Sequence, residues 1–202
     1  MIILAIHYPN GKAYVPEVQA KKLKKKDYSF SNRGKTLEDE ISEANEFYIA
    51  RDIAVIHKKP IPIQVVKVDY PSRSGAVIKE AYYRTPSTTD FNGVYKGKYI
   101  DFEAKETENR TAFPLKNIHL HQVEHMKKVA IQMGITFLLV RFSALDRYFY
   151  LPFEQLSLFW DRMLAGGRKS IAISEMETHA IEITPRYAPR IDYIKIVNDL
   201  NV

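Results

Sequence analysis

The chain contains no cysteine. Disulfides, thiolate catalysis and cysteine-ligated zinc are therefore excluded as sources of stability or chemistry. It also lacks any apolar run near the roughly 18 residues that a membrane-spanning helix needs. The opening MIILAI is too short, and too poor in flanking basic residues, for a secretory signal. A cytoplasmic protein with no membrane partner is the expectation. There is no internal repeat and no low-complexity segment to suggest a solenoid or a linker. What is present is 202 residues, 46% hydrophobic and 12% aromatic, which is enough for one domain with a substantial core. Thirty Lys and Arg against 24 Asp and Glu leave a net charge of +6, which favours a polyanionic partner without specifying one.

Along the chain, residues 1–30 mix turn formers with the cluster Lys21, Lys22, Lys24, Lys25 and Lys26 and show no sustained period. They read as a flexible basic arm ahead of a single domain over 31–202. A helix is expected from Thr36 to about Arg51, opened by Thr36 and Asp39 in capping-box spacing, with Leu37, Ile41, Ala44 and Tyr48 on one stripe. The β-branched and aromatic runs AVIHKKPIPIQVVKVDY and AVIKEAYYRT flank the turn-rich PSRSG and predict a long hairpin, with Arg73 at its tip. Further on, helices are expected from about His119 to Met133 and around Trp160, the latter closed at Gly166 and Gly167. Ser174 and Glu177 mark another helix start. ITFLLVRF, nearly all apolar, predicts a central strand, and RYFYL a neighbour.

The most informative stretch is KGKYIDFEAKET, where Asp101, Glu103 and Lys105 alternate with Ile100, Phe102 and Ala104. Period two places the charged set on one face of a strand, and for an isolated strand a solvated face is the simplest explanation. The residues upstream argue otherwise. A two-residue hairpin turn at Lys96 and Gly97 pairs Tyr95 with Lys98, and counting outward sets Asp90 opposite Glu103 and Thr88 opposite Lys105. Like charges directly opposed destabilise a sheet unless a cation sits between them or a proton is shared. A hard divalent metal suits such oxygens. Asn92 and Gly93 form a competing turn dipeptide that would move Asp90 opposite Tyr95; the later turn is preferred because it keeps the cluster together. In HLHQVEHMKKVAIQM, Gln122 falls on the stripe of Met126, Val129, Ala130 and Met133, so its amide should point toward the sheet, where it either stays wet as a first-turn glutamine or reaches the acidic cluster.

With these residues in view, the sequence resembles the RecU family of Holliday junction resolvases, a branch of the PD-(D/E)xK nucleases. The resemblance is carried by NRGKTLE, AVIHKKPIPIQVV, AVIKEAYYRTPSTTDFNGVYKGKYIDFEAKET, FPLKNIHLHQVEHM, GRKSI and PRIDYIKIV. It implies an α/β restriction-endonuclease-like fold, a mixed central sheet flanked by helices with a β-hairpin stalk over about 61–84. By the same resemblance, Asp90 and Glu103 are acidic metal ligands and Lys105 the catalytic lysine, with Thr88, through its backbone carbonyl, and Gln122 completing the site. Asp101 is a supporting residue, and Thr89 stands where the superfamily usually has proline. The implied cofactor is Mg²⁺, with Mn²⁺ as a substitute. The implied partners are branched, duplex and single-stranded DNA, a second copy of the chain in a homodimer, and other recombination proteins. Lys67, Arg73, Lys79, Tyr82, Tyr83 and Arg84 on the stalk are expected DNA contacts.

Two rival functions are weighed beside this one. HQVEH places His121, Glu124 and His125 in the H-x-x-E-H spacing of an inverted zinc peptidase helix, although no third ligand is apparent. A DNA-binding and annealing protein would need the basic arm and stalk but has no use for Asp90, Glu103 and Lys105 together.

Overall fold

Thr36 has an extended backbone, and its hydroxyl accepts from the Asp39 amide at 3.3 Å while Asp39 Oδ2 accepts from the Thr36 amide at 3.2 Å. This reciprocal cap opens helix α1 (Leu37–Ile49), which buries Leu37, Ile41, Ala44 and Tyr48 as the periodicity requires. The computed structural model describes residues 35–72, 75–84 and 88–200. All belong to the compact unit Lys35–Val202. The basic arm expected over 1–30, and Arg73 at the hairpin tip, lie outside the described residues. From α1 the chain runs through β1 (Val55–Lys58), β2 (Ile63–Ser72), β3 (Gly75–Tyr83), β4 (Phe91–Tyr95), β5 (Lys98–Thr107), β6 (Ala112–Pro114) and α2 (Leu120–Ile131). It continues through β7 (Ile135–Phe142), β8 (Arg147–Pro152), α3 (Phe153–Leu164), β9 (Ser170–Ala172), α4 (Ile173–His179), β10 (Ile181–Ile183) and α5 (Tyr193–Leu200).

Six strands form the central sheet in the order β1, β4, β5, β7, β8, β10. β5 and β7 pair in parallel and all other neighbours are antiparallel, so the sheet is mixed. Both faces of its middle are covered. Ile100, Phe102, Ala104, Phe137 and Leu139 pack with α1 and α5, while Leu138, Val140, Phe149 and Leu151 pack with α2 and α3. On the first face Phe91, Phe102, Phe137 and Tyr150 stack in succession, with ring centroids 5.1, 4.6 and 4.3 Å apart. This is the α/β class expected, and the apolar ITFLLVRF is indeed the buried centre of the sheet. Among the described residues no helix is long and apolar enough to cross a membrane.

The turn that decides the register is at Lys96 and Gly97, both with positive φ (47° and 77°), the conformation of a two-residue hairpin connection. β4 and β5 accordingly pair Tyr95 with Lys98 and Phe91 with Phe102. The competing dipeptide has a different purpose. Gly93 sits mid-strand between Ile56 of β1 and Ile100 of β5, and a Cβ there would lie 2.0 Å from the Val55 carbonyl oxygen. Glycine is required for close backbone approach.

One expected run is divided. AVIHKKPIPIQVVKVDY makes two strands, because Pro60 and Pro62 interrupt it: β1 joins the edge of the central sheet, and β2 pairs only with β3. β2 and β3 form a separate two-stranded antiparallel hairpin, and nearly all of its described residues are exposed. Another helix start is displaced. α4 begins at Ile173, with Glu175 rather than Glu177 reaching back, its Oε2 accepting from the Ala172 amide at 2.7 Å.

Replacing Gly93 with alanine should force β1 off the sheet edge and lower the unfolding free energy by about 1–3 kcal/mol, the range for an overpacked site. Denaturant unfolding of Gly93→Ala, with midpoint and slope both recorded, checks this; an unchanged midpoint would contradict the close approach.

Candidate active site

The parallel register sets Asp101 beside Thr136, Glu103 beside Leu138 and Lys105 beside Val140, so the charged face of β5 is the face that α2 and α3 cover. The solvated-edge explanation fails. Asp101 and Glu103 are both 0% exposed, and Lys105 is largely buried. Charges removed from water must be paired or must pull in a cation or a proton.

Asp90 occupies the bend immediately before β4, half-buried, with its backbone carbonyl accepting from the Lys59 amide at 2.7 Å. Continuing the pairing of Phe91 with Phe102 brings it beside Glu103. Burial first, and then the Asp90 carboxylate, push the Glu103 carboxyl up to about 8, against the opposing pull of Lys105. Lys105 Nζ lies 2.5 Å from Glu103 Oε1. The other oxygen, Oε2, is buried without a hydrogen-bond partner. Two carboxylates, one with an unpartnered buried oxygen, form a donor set that fits a hard divalent cation, which takes few protein ligands and keeps its remaining positions for water.

Asp101 is different, because both of its oxygens accept from protein donors. Thr89 Oγ1 donates to Oδ1, Lys59 Nζ and the Tyr99 hydroxyl each lie 2.7 Å from Oδ2, and His125 Nε2 lies 3.1 Å from Oδ2 in a less well aligned contact. Burial acts to raise the Asp101 pKa, but the contacts from Lys59, Thr89, Tyr99 and His125 together hold it below the ordinary value. A carboxylate so occupied is a poor ligand and a good anchor.

The remaining expected residues divide. Gln122 is buried on the sheet-facing side of α2, but its Oε1 accepts from the His119 amide at 2.9 Å, closing the first turn of the helix. Thr88 is half-buried beside Asp90, its hydroxyl 3.4 Å from the Thr89 carbonyl oxygen. On the hairpin, Tyr82 and Tyr83 are 60% and 82% exposed and so are not core residues. Lys67 is exposed, Lys79 pairs with Asp69 at 3.6 Å, and Arg84 is tied to Gln64 Oε1 through Nε and Nη2. The HQVEH histidines are engaged separately, His125 with Asp101 and His121 stacked on His119. Among the described residues no group of three or more His, Asp or Glu could hold a metal.

Sequence reasoning missed Lys59, Thr89 and Tyr99 and misread His125. Tyr99 and His125 were recoverable: Tyr99 shares the Asp101 face by strand alternation, and His125 is one helical turn from Gln122. Nothing in HKKP distinguishes Lys59 from Lys58.

The raised Glu103 pKa has a consequence for stability. A carboxyl that keeps its proton when folded contributes stability that is complete below its unfolded value of 4.5 and is lost as pH rises through about 8. In EDTA, Glu103→Gln should therefore be more stable than the parent above that range, by about 1 kcal/mol or more, with the difference shrinking toward acid. Thermal melts of both proteins at acid and alkaline pH check it; a pH-independent difference would contradict the burial argument.

Comparison with known proteins agrees with this geometry. The family described as "Recombination protein U" (RecU) matches residues 32–199, which include every described candidate residue. "Holliday junction resolvase RecU" of Bacillus cereus (strain B4264) is 53% identical over 195 residues, 96% of this chain and 98% of its own length. The proteins of the same name from Bacillus mycoides (strain KBAB4) and Bacillus anthracis (strain A0248) are 52% and 53% identical over the same shares. A match of this extent, over a mixed sheet that gathers Asp90, Glu103 and Lys105 on one covered face, makes the chain a member of the RecU family.

Proposed function

We propose that this protein is a Holliday junction resolvase: an endonuclease, acting in recombination and repair in the cytoplasm, that cuts four-way DNA junctions by paired symmetric nicks. The observation that carries the reading is the buried Glu103, with one oxygen unpartnered, set between the Asp90 carboxylate and the Lys105 ammonium. Asp90 and Glu103 hold Mg²⁺, or Mn²⁺ in its place, with the Thr88 carbonyl and the Gln122 amide oxygen as neutral donors. The second lone pair of Gln122 Oε1 remains for this while the first serves the His119 amide. The bound ion supplies charge neutralisation at the phosphodiester and a lowered pKa for the attacking water. Lys105, oriented by Glu103, places a fixed positive charge where negative charge develops on the phosphorane oxygens. The products carry a 5′-phosphate and a 3′-hydroxyl.

The hairpin supports the substrate assignment. An isolated two-stranded hairpin is marginal in water, and this one exposes Ile63, Val66, Tyr70, Ile78, Tyr82 and Tyr83 rather than covering them. Those side chains suit stacking on bases unpaired at the centre of a junction, while Lys67, and Lys79 and Arg84 once released from their partners, suit phosphates. A homodimer would present two such sites to opposing strands.

Asp90→Asn is expected to abolish junction cleavage while leaving junction affinity within about threefold, since the basic surfaces that contact phosphate are unchanged. Gel-shift titration in EDTA alongside cleavage in Mg²⁺ checks the separation, and nicking at the parental rate would refute the site. Lys105→Ala should slow single-turnover cleavage about 100-fold or more, the scale of one removed electrostatic group; an unchanged rate would remove Lys105 from the chemistry. Replacing Tyr82 and Tyr83 together with alanine should weaken junction binding about tenfold, with plain duplex affected much less. Competition titrations at fixed salt decide this, and an unaltered ratio of junction to duplex affinity would remove the hairpin from junction recognition.

A further inference from the structure

Asp90 is an awkward ligand to hold still. It lies outside the ladder of β4, half-buried in a bend beside Glu103. Strand pairing alone does not secure it, because the β1 and β4 ladder ends at Lys58 and Phe91.

The next residue of β1's chain extends that grip. Lys59 donates its amide to the Asp90 carbonyl at 2.7 Å, and its side chain crosses to the Thr89 hydroxyl at 3.0 Å and Asp101 Oδ2 at 2.7 Å. Having accepted from Lys59, the Thr89 hydroxyl donates onward to Asp101 Oδ1. Thr89 is 3% and Asp101 0% exposed, and the Lys59 side chain is 17% exposed. Tyr99 from β5 and His125 from α2 hold Asp101 from the far side.

We infer that Lys59, Thr89 and Asp101 form a clamp that fixes the bend carrying Asp90, so that its carboxylate meets the cation at Glu103 without first having to be ordered. These are positioning residues. Asp101 is committed to this network, with Lys59 and Tyr99 on Oδ2 and Thr89 on Oδ1, and Lys59 points at Asp101 rather than at the unpartnered oxygen of Glu103. Thr89 is the pivot, because its hydroxyl accepts from the lysine and donates to the carboxylate at once and so ties the residue next to Asp90 to both; valine has the shape without either function, and serine has both. The inference rests on the proposed metal site, and its effect is on metal affinity, where partners that orient a ligand typically contribute 10–100-fold.

The test is Mn²⁺ binding to the full chain, measured by electron paramagnetic resonance of the free ion, for the parent, Thr89→Val, Thr89→Ser, Lys59→Met and Glu103→Gln, with a thermal melt of each. The clamp predicts about tenfold or greater loss of affinity in Thr89→Val and Lys59→Met, and near-parental affinity in Thr89→Ser. If Thr89→Val does not fold, Lys59→Met decides, since its backbone bond to Asp90 remains. Parental affinity in Lys59→Met and Thr89→Val, with affinity lost in Glu103→Gln, overturns the clamp and leaves the metal site standing. Equal losses in the valine and serine variants also overturn it, because the hydroxyl would then not matter. Parental affinity in Glu103→Gln instead overturns the metal site itself.

Discussion

A carboxylate buried on the covered face of a central strand, beside a second carboxylate, is the constraint on which the rest of this structure depends. Glu103 has no access to water and one oxygen without a donor. The fold tolerates it by retaining a proton, by supplying Lys105, and on the proposed function by admitting a cation. The unfavourable placement is thus the working part of the site: an environment that resists a second negative charge rewards a divalent ion that brings two positive ones.

The surroundings are arranged to keep that placement fixed. The stacked rings of Phe91, Phe102 and Phe137 lock β4, β5 and β7 together on the opposite face, so the register that sets Asp90 beside Glu103 is held by core packing rather than by the charges themselves. The positive-φ turn at Lys96 and Gly97 fixes the same register from one end, and the contacts of Lys59, Thr89 and Asp101 fix the bend at the other. The β2 and β3 hairpin takes no part in this packing. Its exposed tyrosines follow from having no core to enter.

How much of this was legible in the sequence depended on whether the signal was local. Alternation in KGKYIDFEAKET, the capping residues Thr36 and Asp39, and the Lys96–Gly97 turn are read from neighbours in sequence, and the structure has all three. Alternation could not say that α2 would cover the charged face, so a solvated strand and a buried site looked alike until the parallel partner β7 was in place. Asn92–Gly93 competed with the correct turn because a glycine demanded by the close approach of Val55 looks the same as a glycine demanded by a turn. Lys59 and Thr89 were invisible because their common partner, Asp101, stands far along the chain. The family resemblance implied a ligand set; it gave no account of what would hold those residues in place.

The central claim is that the Asp90 and Glu103 pair is a cation-dependent centre for cutting branched DNA. It is tested most directly by following strand cleavage of a mobile four-way junction and of a linear duplex of matching sequence by the purified protein, in Mg²⁺ and in EDTA. The account predicts paired nicks at symmetric positions in the junction with Mg²⁺, little cleavage of the duplex, and none of either in EDTA. Cleavage that persists in EDTA, or that is equally rapid on the linear duplex, would contradict it.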